Sequence, residues 1–301
     1  MTSRKNWLVT GASGLLGSVI VEELAARGDR VLAQQHEKSF PFEGAVDAVS
    51  GDLTDPDWTR KLVNDASPDA IIHCAALTNV DLCEREPELA ERVNAFASGA
   101  LAEAAREAGA RLIHVSTDHL WRGDKPMLSE DEPVDPINVY ARTKAEAERL
   151  VLEAYPEALV ARTNLFRRGH PWRLSFSDWA ECNLRSGEPF NAFADTFFTP
   201  IEARLFAQLA IELAASDAKG ILHLAGAERI SKYEFVKRLA GRLDLESSHV
   251  EPGLMADAEL GAPRPKEMSL ATDKASALLG RPMPDIDASL DSLLEPAGQP
   301  A

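Results

Sequence analysis

Three side chains in the middle of the chain have the types and the spacing needed to donate a proton to a carbonyl oxygen: Thr117, Tyr140 and Lys144. Tyr140 and Lys144 are four positions apart, and residues with this spacing lie on the same face of a helix. Thr117 directly follows Arg111–Ser116, an apolar run that is typical of a strand. Because the carboxyl ends of parallel strands border the ligand crevice, we predict that the three groups converge there.

The chain contains a second Tyr-x-x-x-Lys motif, at Tyr233 and Lys237. It follows Ser231 and has no strand-ending Ser-Thr pair at the right distance upstream. We predict instead a C-terminal helix with Phe235 and Val236 facing the core. The context of a preceding strand therefore favours Tyr140 as the chemically active tyrosine.

A glycine-rich turn comes straight after the first apolar run and opens a helix-like stretch, as Thr10-Gly11-Ala12-Ser13-Gly14-Leu15-Leu16-Gly17. Gly11 permits the tight turn, Gly14 lets backbone N–H groups approach a pyrophosphate, and Gly17 lets helix and strand pack closely. The positive end of the helix would face the phosphates. The pattern predicts a dinucleotide site whose first contacts are Gly11, Ser13, Gly14, Leu15, Leu16 and Gly17.

The region after the second predicted strand bears on the choice between NADPH and NADH. It reads Gln34-Gln35-His36-Glu37-Lys38, without the Asp that usually meets the ribose hydroxyls of NAD. His36 and Lys38 could contact a 2′-phosphate, which favours NADP, whereas Glu37 leaves NAD open; the alternative is that these are solvated loop residues. Asp52 and Leu53 are expected near adenine, unless Asp52 caps the next helix, near Pro56.

The glycine-rich turn and the Thr117, Tyr140 and Lys144 trio together predict the transfer of a hydride to a carbonyl group. A free tyrosine has a pKa of about 10, and we expect the Lys144 ammonium and a cationic oxidised nicotinamide to lower the value of Tyr140. Tyr140 would then protonate the alkoxide that forms as hydride reaches the carbonyl carbon. Thr117 would stabilise the oxygen by a hydrogen bond and Lys144 would hold the ribose of the cofactor, so both residues are predicted to assist the reduction.

Short apolar runs alternate with helix-length stretches, which predicts an α/β fold with a doubly wound, Rossmann-type parallel sheet. The predicted strands are Trp7–Thr10, Arg30–Gln34, Ala45–Ser50, Ala70–Cys74, Arg111–Ser116 and Ala158–Arg162. The predicted helices between them span about 15–27, 56–66, 87–108 and 138–154. Gly28 and Gly109 are expected to close the first and third helices in a left-handed conformation.

After Phe166 the pattern loosens and predicts a smaller C-terminal α/β substrate lobe. We therefore expect an NAD(P)-binding domain over 1–166 and a lobe over 167–301, with the alternative that the segment 195–225 returns to the first sheet. The lobe is predicted to contain a strand at Ile221–Leu224 and helices at about 175–186, 201–215, 231–243, 272–279 and 286–294. The tail Pro296–Ala301 is expected to fray.

The composition narrows the possible partners. A formal net charge of −16 argues against binding nucleic acid or an anionic membrane, because both need clustered Lys and Arg. No apolar run reaches the ~18–20 residues of a membrane helix, and the N-terminus shows no leader pattern. Cys74, Cys83 and Cys182 are neither paired by number nor at metal spacing, so we expect a cytoplasmic protein without a metal site.

Taken together, Thr10–Gly17, Ser116-Thr117-Asp118 and Tyr140…Lys144 resemble the extended short-chain dehydrogenase/reductase superfamily. The runs Ala75-Ala76-Leu77-Thr78-Asn79-Val80-Asp81 and Asn138–Lys144 are similar to the dTDP-4-dehydrorhamnose reductase family. The resemblance implies reduction of a keto group on a deoxysugar nucleotide by a Thr, Tyr and Lys trio. It also implies cofactor contacts at Ala75 and Ala76, and substrate contacts at Thr78, Asp81, Thr117, Asp118, His119 and Asn164.

The sequence departs from that family where the substrate should bind. The family typically continues Ser-Thr-Asp with Tyr-Val-Phe, whereas this chain has His119-Leu120-Trp121. An aromatic residue often found after the sixth strand is replaced by Leu165. The reaction class is therefore expected to carry over better than the substrate, and His119 is expected to be a packing or loop residue, with a second acid as the alternative.

Other activities are compatible with the same residues. A 4,6-dehydratase usually has Thr-Asp-Glu where this chain has Thr117-Asp118-His119, which argues against that reaction. A sugar-nucleotide epimerase would use the same Tyr and Lys. A non-catalytic, NADP-binding regulatory subunit is a further alternative, because a partner subunit of methionine adenosyltransferase resembles this reductase family. A reductase of another carbonyl metabolite is also an alternative. The resemblance also permits a homodimer.

Overall fold

The computed structural model describes residues 4–39, 42, 46–171 and 173–295. Within this part of the chain the strands are β1 Asn6–Thr10, β2 Arg30–Gln35, β3 Val46–Ser50, β4 Ala70–His73, β5 Arg111–Val115, β6 Leu159–Arg162, β7 Leu165–Phe166, β8 Phe190–Phe193, β9 Phe197–Phe198, β10 Ile201–Glu202, β11 Gly220–His223, β12 Ile230–Ser231 and β13 Val250–Gly253. Seven of them form one parallel sheet in the order β11-β6-β5-β4-β1-β2-β3. The remaining strands pair two by two: β7 with β10, β8 with β13 and β9 with β12.

The helices pack on both faces of the large sheet and build the C-terminal lobe. In the same described residues they are α1 Leu15–Ala26, α2 Pro56–Ala66, α3 Val80–Arg85, α4 Pro87–Glu91, α5 Ala97–Glu107, α6 Val139–Ala154, α7 Phe176–Ser186, α8 Ala203–Ala214, α9 Lys232–Arg242, α10 Asp273–Leu279 and α11 Ile286–Leu294. A π-helical turn, Arg92–Phe96, joins α4 to α5. The architecture confirms the predicted doubly wound α/β fold.

The strand order creates the ligand crevice. From β1 the chain proceeds to β2 and β3 on one side, then returns to β4 and continues to β5 and β6 on the other. Such a reversal separates the loops at the carboxyl ends of β1 and β4, which leaves a crevice there. The glycine turn follows β1 and Thr117 follows β5, so both lie at this edge of the sheet.

Apolar residues cover both faces of the sheet. On one face α1 packs against α8, with Ile20 and Phe206 fully buried. On the other face α2, α5 and α6 pack together, burying Val63, Leu101 and Val151. Each such side chain stabilises the fold by roughly 1.5–3 kcal/mol on burial. Burial on both faces explains why these strands are continuous apolar runs.

The C-terminal lobe has its own aromatic core. Helix α9 begins with a capping box, in which the Ser231 hydroxyl accepts from the Glu234 N–H and the Glu234 carboxylate accepts from the Ser231 N–H. This helix carries Phe235 and Val236, which are completely buried as predicted. Phe235 packs edge-on against Phe166, with their ring centroids 4.9 Å apart. Tyr233 therefore belongs to the lobe and not to the crevice.

Several boundaries differ from the predictions. The predicted helix 87–108 is interrupted by the π-helical turn, and α3 was not predicted because its six residues are too few to show a period. Gly28 and Gly109 do adopt left-handed conformations, with φ of 81° and 67°. The predicted strand start at Ala45, the loop residue Trp172 and the tail Pro296–Ala301 lie outside the described residues.

No described helix is both long enough and apolar enough to cross a membrane. Across the described ranges, His, Cys, Asp and Glu side chains form no cluster of three or more that could hold a metal ion. The three cysteines, Cys74, Cys83 and Cys182, are free thiols.

Candidate active site

A cleft of about 870 Å³ lies at the carboxyl edge of the sheet, between the glycine turn and the start of the C-terminal lobe. Its volume is in the range of cofactor and small-molecule sites. Most of the residues predicted for the site line it. These are Gly11, Ser13, Gly14, Leu15, Leu16, Gly17, His36, Asp52, Leu53, Ala75, Ala76, Thr78, Thr117, Asp118, His119, Tyr140, Lys144 and Asn164.

Two of the predicted residues do not line the cleft. Lys38 is exposed beyond the end of β2, where it does not contribute to the wall. Asp81, in the first turn of α3, forms an ion pair with Arg264, with 3.0 Å between Oδ1 and Nη2. The pair ties the loop before residue 266 to α3, so the structure gives Asp81 a structural contact.

The glycine turn forms a cradle that side chains would fill. Gly11 has a φ of 63°, and a Cβ added there would lie 2.7 Å from the backbone of Ala75. A Cβ on Gly17 would lie 2.3 Å from the carbonyl oxygen of Gly11, so helix and turn pack closely only with glycine. Gly14 caps α1 and faces the cleft. The N-terminal N–H groups of α1 therefore border open space, which suits a pyrophosphate.

We predict that Gly14→Val weakens NADP(H) affinity about 10- to 100-fold while the protein stays folded. The φ of Gly14 is −79°, which any residue tolerates, but the valine methyls would occupy the space that phosphate oxygens need. The loss of one or two hydrogen bonds to a charged group accounts for this factor. Titration of cofactor fluorescence measures the change, and the control is Gly241→Ala on α9, where an added Cβ meets nothing within 4 Å. Unchanged affinity in Gly14→Val would contradict the assignment of this turn.

The end of the cleft that is predicted for adenosine is built around Gln34, which was not predicted as a site residue. Its Oε1 accepts from the Gly11 N–H at 3.1 Å and its Nε2 donates to the Gly51 carbonyl at 2.9 Å. The sequence does show a polar Gln34 at the end of an apolar run, and this was the signal that could have identified it as a site residue. Asp52 accepts from the Thr54 N–H, whereas Asp55 caps α2. The alternative that Asp52 caps this helix was therefore wrong.

The three groups of the predicted trio meet at the middle of the cleft. Thr117 and Tyr140 are buried, and Lys144 is 2% exposed. Helix α6 begins at an Asn138 cap, whose side chain accepts from the Ala141 N–H at 2.8 Å. This cap places Tyr140 in the first turn and Lys144 in the next turn on the same face.

Lys144 is held by the end of strand β5. Its Nζ donates to the Val115 carbonyl at 2.8 Å and lies 3.3 Å from Nε2 of His114. Burial lowers the pKa of Lys144 to about 8, and the charges of Glu148 and Cys74 oppose the shift. One donor hydrogen of the ammonium thus remains for a group in the cleft.

The expected lowering of the Tyr140 pKa is wrong for the protein without its cofactor. Burial raises the pKa of Tyr140 to about 12, and a hydrogen bond with Thr117 opposes this only in part. Arg173 also lowers the pKa of Tyr140, whereas Lys144, which is held by Val115 and His114, does not contribute. Burial of a phenol disfavours its charged form, and the sequence spacing gave no measure of that burial.

Two buried histidines lie beneath Lys144, and neither was predicted. The Ser98 hydroxyl donates to the Asn94 carbonyl, so it accepts from His73 Nε2 at 2.9 Å, and His73 Nδ1 accepts from the Thr10 hydroxyl. Burial lowers the pKa of His73 to about 3 and that of His114 well below its ordinary value. Because an ammonium can only donate, the neutral His114 accepts from Lys144 at Nε2.

The substrate side of the cleft contains charged groups from both parts of the chain. Asp118 is buried and accepts a hydrogen bond from the Asn164 side chain, and burial raises its pKa. The guanidinium of Arg173 donates to the Thr78 hydroxyl and lines the cleft. Lys232, at the start of α9, does not line the cleft; its amino group packs over the ring of Phe198 at 3.4 Å and over that of Phe176 at 4.4 Å. Arg173 and Phe176 were not predicted, since no local pattern marks residues that approach from a distant loop.

The fold and the site together define a nucleotide-dependent oxidoreductase of the extended short-chain dehydrogenase/reductase class. A strand-tip threonine and a Tyr-x-x-x-Lys helix share one cleft with a glycine cradle at the switch point of a doubly wound sheet. The chain belongs to the family described as RmlD substrate binding domain, whose sequence model matches residues 5–298.

Known proteins of this family include enzymes and one protein named as a subunit. The chain is 32% identical to a probable low-salt glycan biosynthesis reductase of Haloferax volcanii, over 95% of this chain and 96% of the relative. It is 33% identical to methionine adenosyltransferase 2 subunit beta of Xenopus tropicalis, over 89% of this chain and 80% of that relative. The crystal structure of dTDP-4-dehydrorhamnose reductase from Bacillus anthracis, in complex with NADP, superimposes with a TM-score of 0.84 and 25% identity, covering 97% of this chain and 99% of that one.

Proposed function

We propose that this protein is an NADPH-dependent reductase of a keto group on a deoxysugar nucleotide, with NADH as the alternative reductant. The observation that carries the proposal is the convergence of Thr117, Tyr140 and Lys144 in one cleft with the glycine cradle. The reductases named among its relatives support the substrate class. The homodimer and the cytoplasmic location stay predictions.

The glycine cradle, Gln34 and Lys144 would hold the dinucleotide. When bound, the nicotinamide supplies the hydride. Lys144, fixed by Val115 and His114, keeps one N–H that would hold the ribose of the dinucleotide. The N-terminal end of α1 and the neighbouring N–H groups would bind the pyrophosphate.

Tyr140 and Thr117 would act on the substrate oxygen. The phenol of Tyr140 donates its proton to that oxygen, and the Thr117 hydroxyl donates a hydrogen bond that stabilises the developing negative charge. The raised pKa of Tyr140 keeps the phenol protonated until the reaction begins. Each of the three groups is at most 9% exposed, so these interactions would be screened less than at the protein surface.

The C-terminal lobe would bind the nucleotide sugar. We propose that 1–166, together with α8 and β11, forms the cofactor-binding unit, and that the rest of 167–301 forms the substrate lobe. Strand β11 pairs with β6 and α8 packs on α1, which supports this division. Arg173, which lines the cleft, would provide a cation for an anionic substrate in a chain whose net charge is −16.

The direct test is oxidation of NADPH by the purified protein with dTDP-4-dehydrorhamnose and with other 4-keto sugar nucleotides. We expect loss of the NADPH absorbance and formation of the corresponding alcohol, identified by mass spectrometry. Tightly retained NAD with no net NADPH oxidation, but with conversion between sugar isomers, would instead identify an epimerase.

A second candidate is a regulatory subunit, favoured by the similarity to methionine adenosyltransferase 2 subunit beta. The presence of Thr117, Tyr140 and Lys144 in one cleft argues against a regulatory subunit, because a protein that only binds the cofactor does not require a proton donor beside it. Cofactor binding without turnover of any 4-keto sugar nucleotide, together with co-purification of a methionine adenosyltransferase, would support it.

A further inference from the structure

The imidazole of His119 lies beside the predicted proton donor. His119 lines the cleft, and its ring meets the Tyr140 ring edge-on, with the centroids 5.7 Å apart and the planes at 81°. The side chain is 19% exposed, so a molecule in the cleft could reach it. Its place next to Tyr140 also puts it beside any carbonyl group that Tyr140 protonates.

His73 has both ring nitrogens in hydrogen bonds and His114 has one, whereas neither ring nitrogen of His119 is hydrogen-bonded among the described residues. Both ring nitrogens of His73 have partners, at Thr10 and Ser98. In His119, by contrast, Nδ1 has no hydrogen-bond partner within the described ranges. Its Nε2 is 3.9 Å from Oδ1 of Asp118, which is too far for a hydrogen bond but close enough for electrostatic support. A packing histidine would normally have these atoms satisfied.

The electrostatic surroundings leave the ring able to accept a proton. Burial lowers the pKa of His119, the neighbouring Asp118 raises it, and Lys232 and Arg264 lower it further. The imidazole is therefore neutral near pH 7, which is the form that can act as a base. Once it is protonated, the buried Asp118 carboxyl group would stabilise the imidazolium, as carboxylates do in other acid–base pairs.

We propose that His119, supported by Asp118, is a second acid–base group that removes and returns the proton on the carbon next to the substrate's keto group. This inference rests on the proposed function, because it requires a keto sugar in the cleft. It adds an activity, solvent exchange at that carbon, to the reduction. The sequence predicts a packing or loop residue at this position, with a second acid as the alternative.

The proposed step is balanced without a redox partner. The C–H bond next to the carbonyl breaks, its electron pair forms the C=C bond of an enolate, and the proton moves to a nitrogen of His119. The enolate oxygen is stabilised by Tyr140 and Thr117, the same donors that serve reduction. After the imidazolium exchanges its proton with water, it returns a solvent proton to the same carbon, and the ketone is restored.

The test measures deuterium incorporation in D₂O. Wild-type protein with NADP⁺ and a 4-keto sugar nucleotide should exchange the proton at the carbon next to the keto group about 10²- to 10⁴-fold faster than His119→Gln does. The label is read by proton NMR and by the mass of the sugar nucleotide. His119→Tyr introduces the residue typical of the family at this position, and provides a second variant in case His119→Gln does not fold.

Both variants keep Thr117, Tyr140 and Lys144, so the ratio of deuterium incorporation to NADPH oxidation should fall in each, whatever the change in binding of the keto substrate. His249→Gln, in the C-terminal lobe, is the control and should exchange as the wild type does. Reduction without deuterium incorporation, or equal exchange in wild type and His119→Gln, would overturn the inference and leave the proposed function intact. Exchange without NADPH oxidation would support the inference while refuting the reductase.

Discussion

Replacing Tyr140 by Phe should lower the turnover number about 10²- to 10⁴-fold and leave the affinity for NADPH nearly unchanged. The variant keeps the ring, which packs in the cluster with Val139 and Cys83, and removes only the hydroxyl that donates the proton. Steady-state kinetics with a keto sugar nucleotide and titration with NADPH measure the two quantities.

The second Tyr-x-x-x-Lys motif provides the matched control for that prediction. Tyr233→Phe removes the same atom from a tyrosine of the lobe that does not line the cleft, so turnover should not change. If Tyr140→Phe retained full turnover, the phenol would not be the proton donor. If Tyr233→Phe were equally impaired, the loss would reflect folding of the lobe.

The large sheet was predictable because its strands are buried on both faces. Runs such as Ala70-Ile71-Ile72 are continuously apolar, and this pattern is visible in the sequence alone. The two-residue strands β7, β9, β10 and β12 carry no such signal. Their pairing depends on partners more than 30 residues away, as between Ile201 and Leu165.

The site was predictable only as far as local spacing reaches. The spacing of Tyr140 and Lys144 placed both in the cleft, because four residues make about one helical turn. The direction of the Lys144 amino group was not predictable, since His114 and Val115 come from a neighbouring strand. The raised pKa of Tyr140 depends on burial, which is a property of the assembled cleft.

A buried ion pair holds the helix that carries Tyr140 and Lys144. Arg162, at the end of β6, donates to Glu148 of α6, with 2.7 Å between Nη2 and Oε2. The Ser116 hydroxyl, at the end of β5, donates to the same carboxylate at 2.5 Å. Glu148 is one helical turn beyond Lys144, so this pair fixes the distance from helix α6 to the strand tip that presents Thr117.

Removing one partner of this pair should therefore destabilise the protein strongly. We predict that Arg162→Met lowers the free energy of unfolding by about 3–5 kcal/mol, because it leaves the Glu148 carboxylate buried without its counterion. Urea unfolding followed by circular dichroism measures the change. Arg149→Met is the control, since Arg149 lies on the same helix and forms exposed ion pairs with Glu146 and Glu153, which contribute little.

The double variant Glu148→Leu/Arg162→Met separates the two roles of the pair. Its stability should recover most of the loss, since two apolar side chains remove both buried charges together. Its turnover should nevertheless stay below that of the wild type, because Ser116 no longer has a carboxylate to link β5 to α6. Full turnover in a stable double variant would show that packing alone positions Tyr140 and Lys144 against Thr117. Equal stability of Arg162→Met and wild type would mean that the pair contributes nothing to holding helix α6.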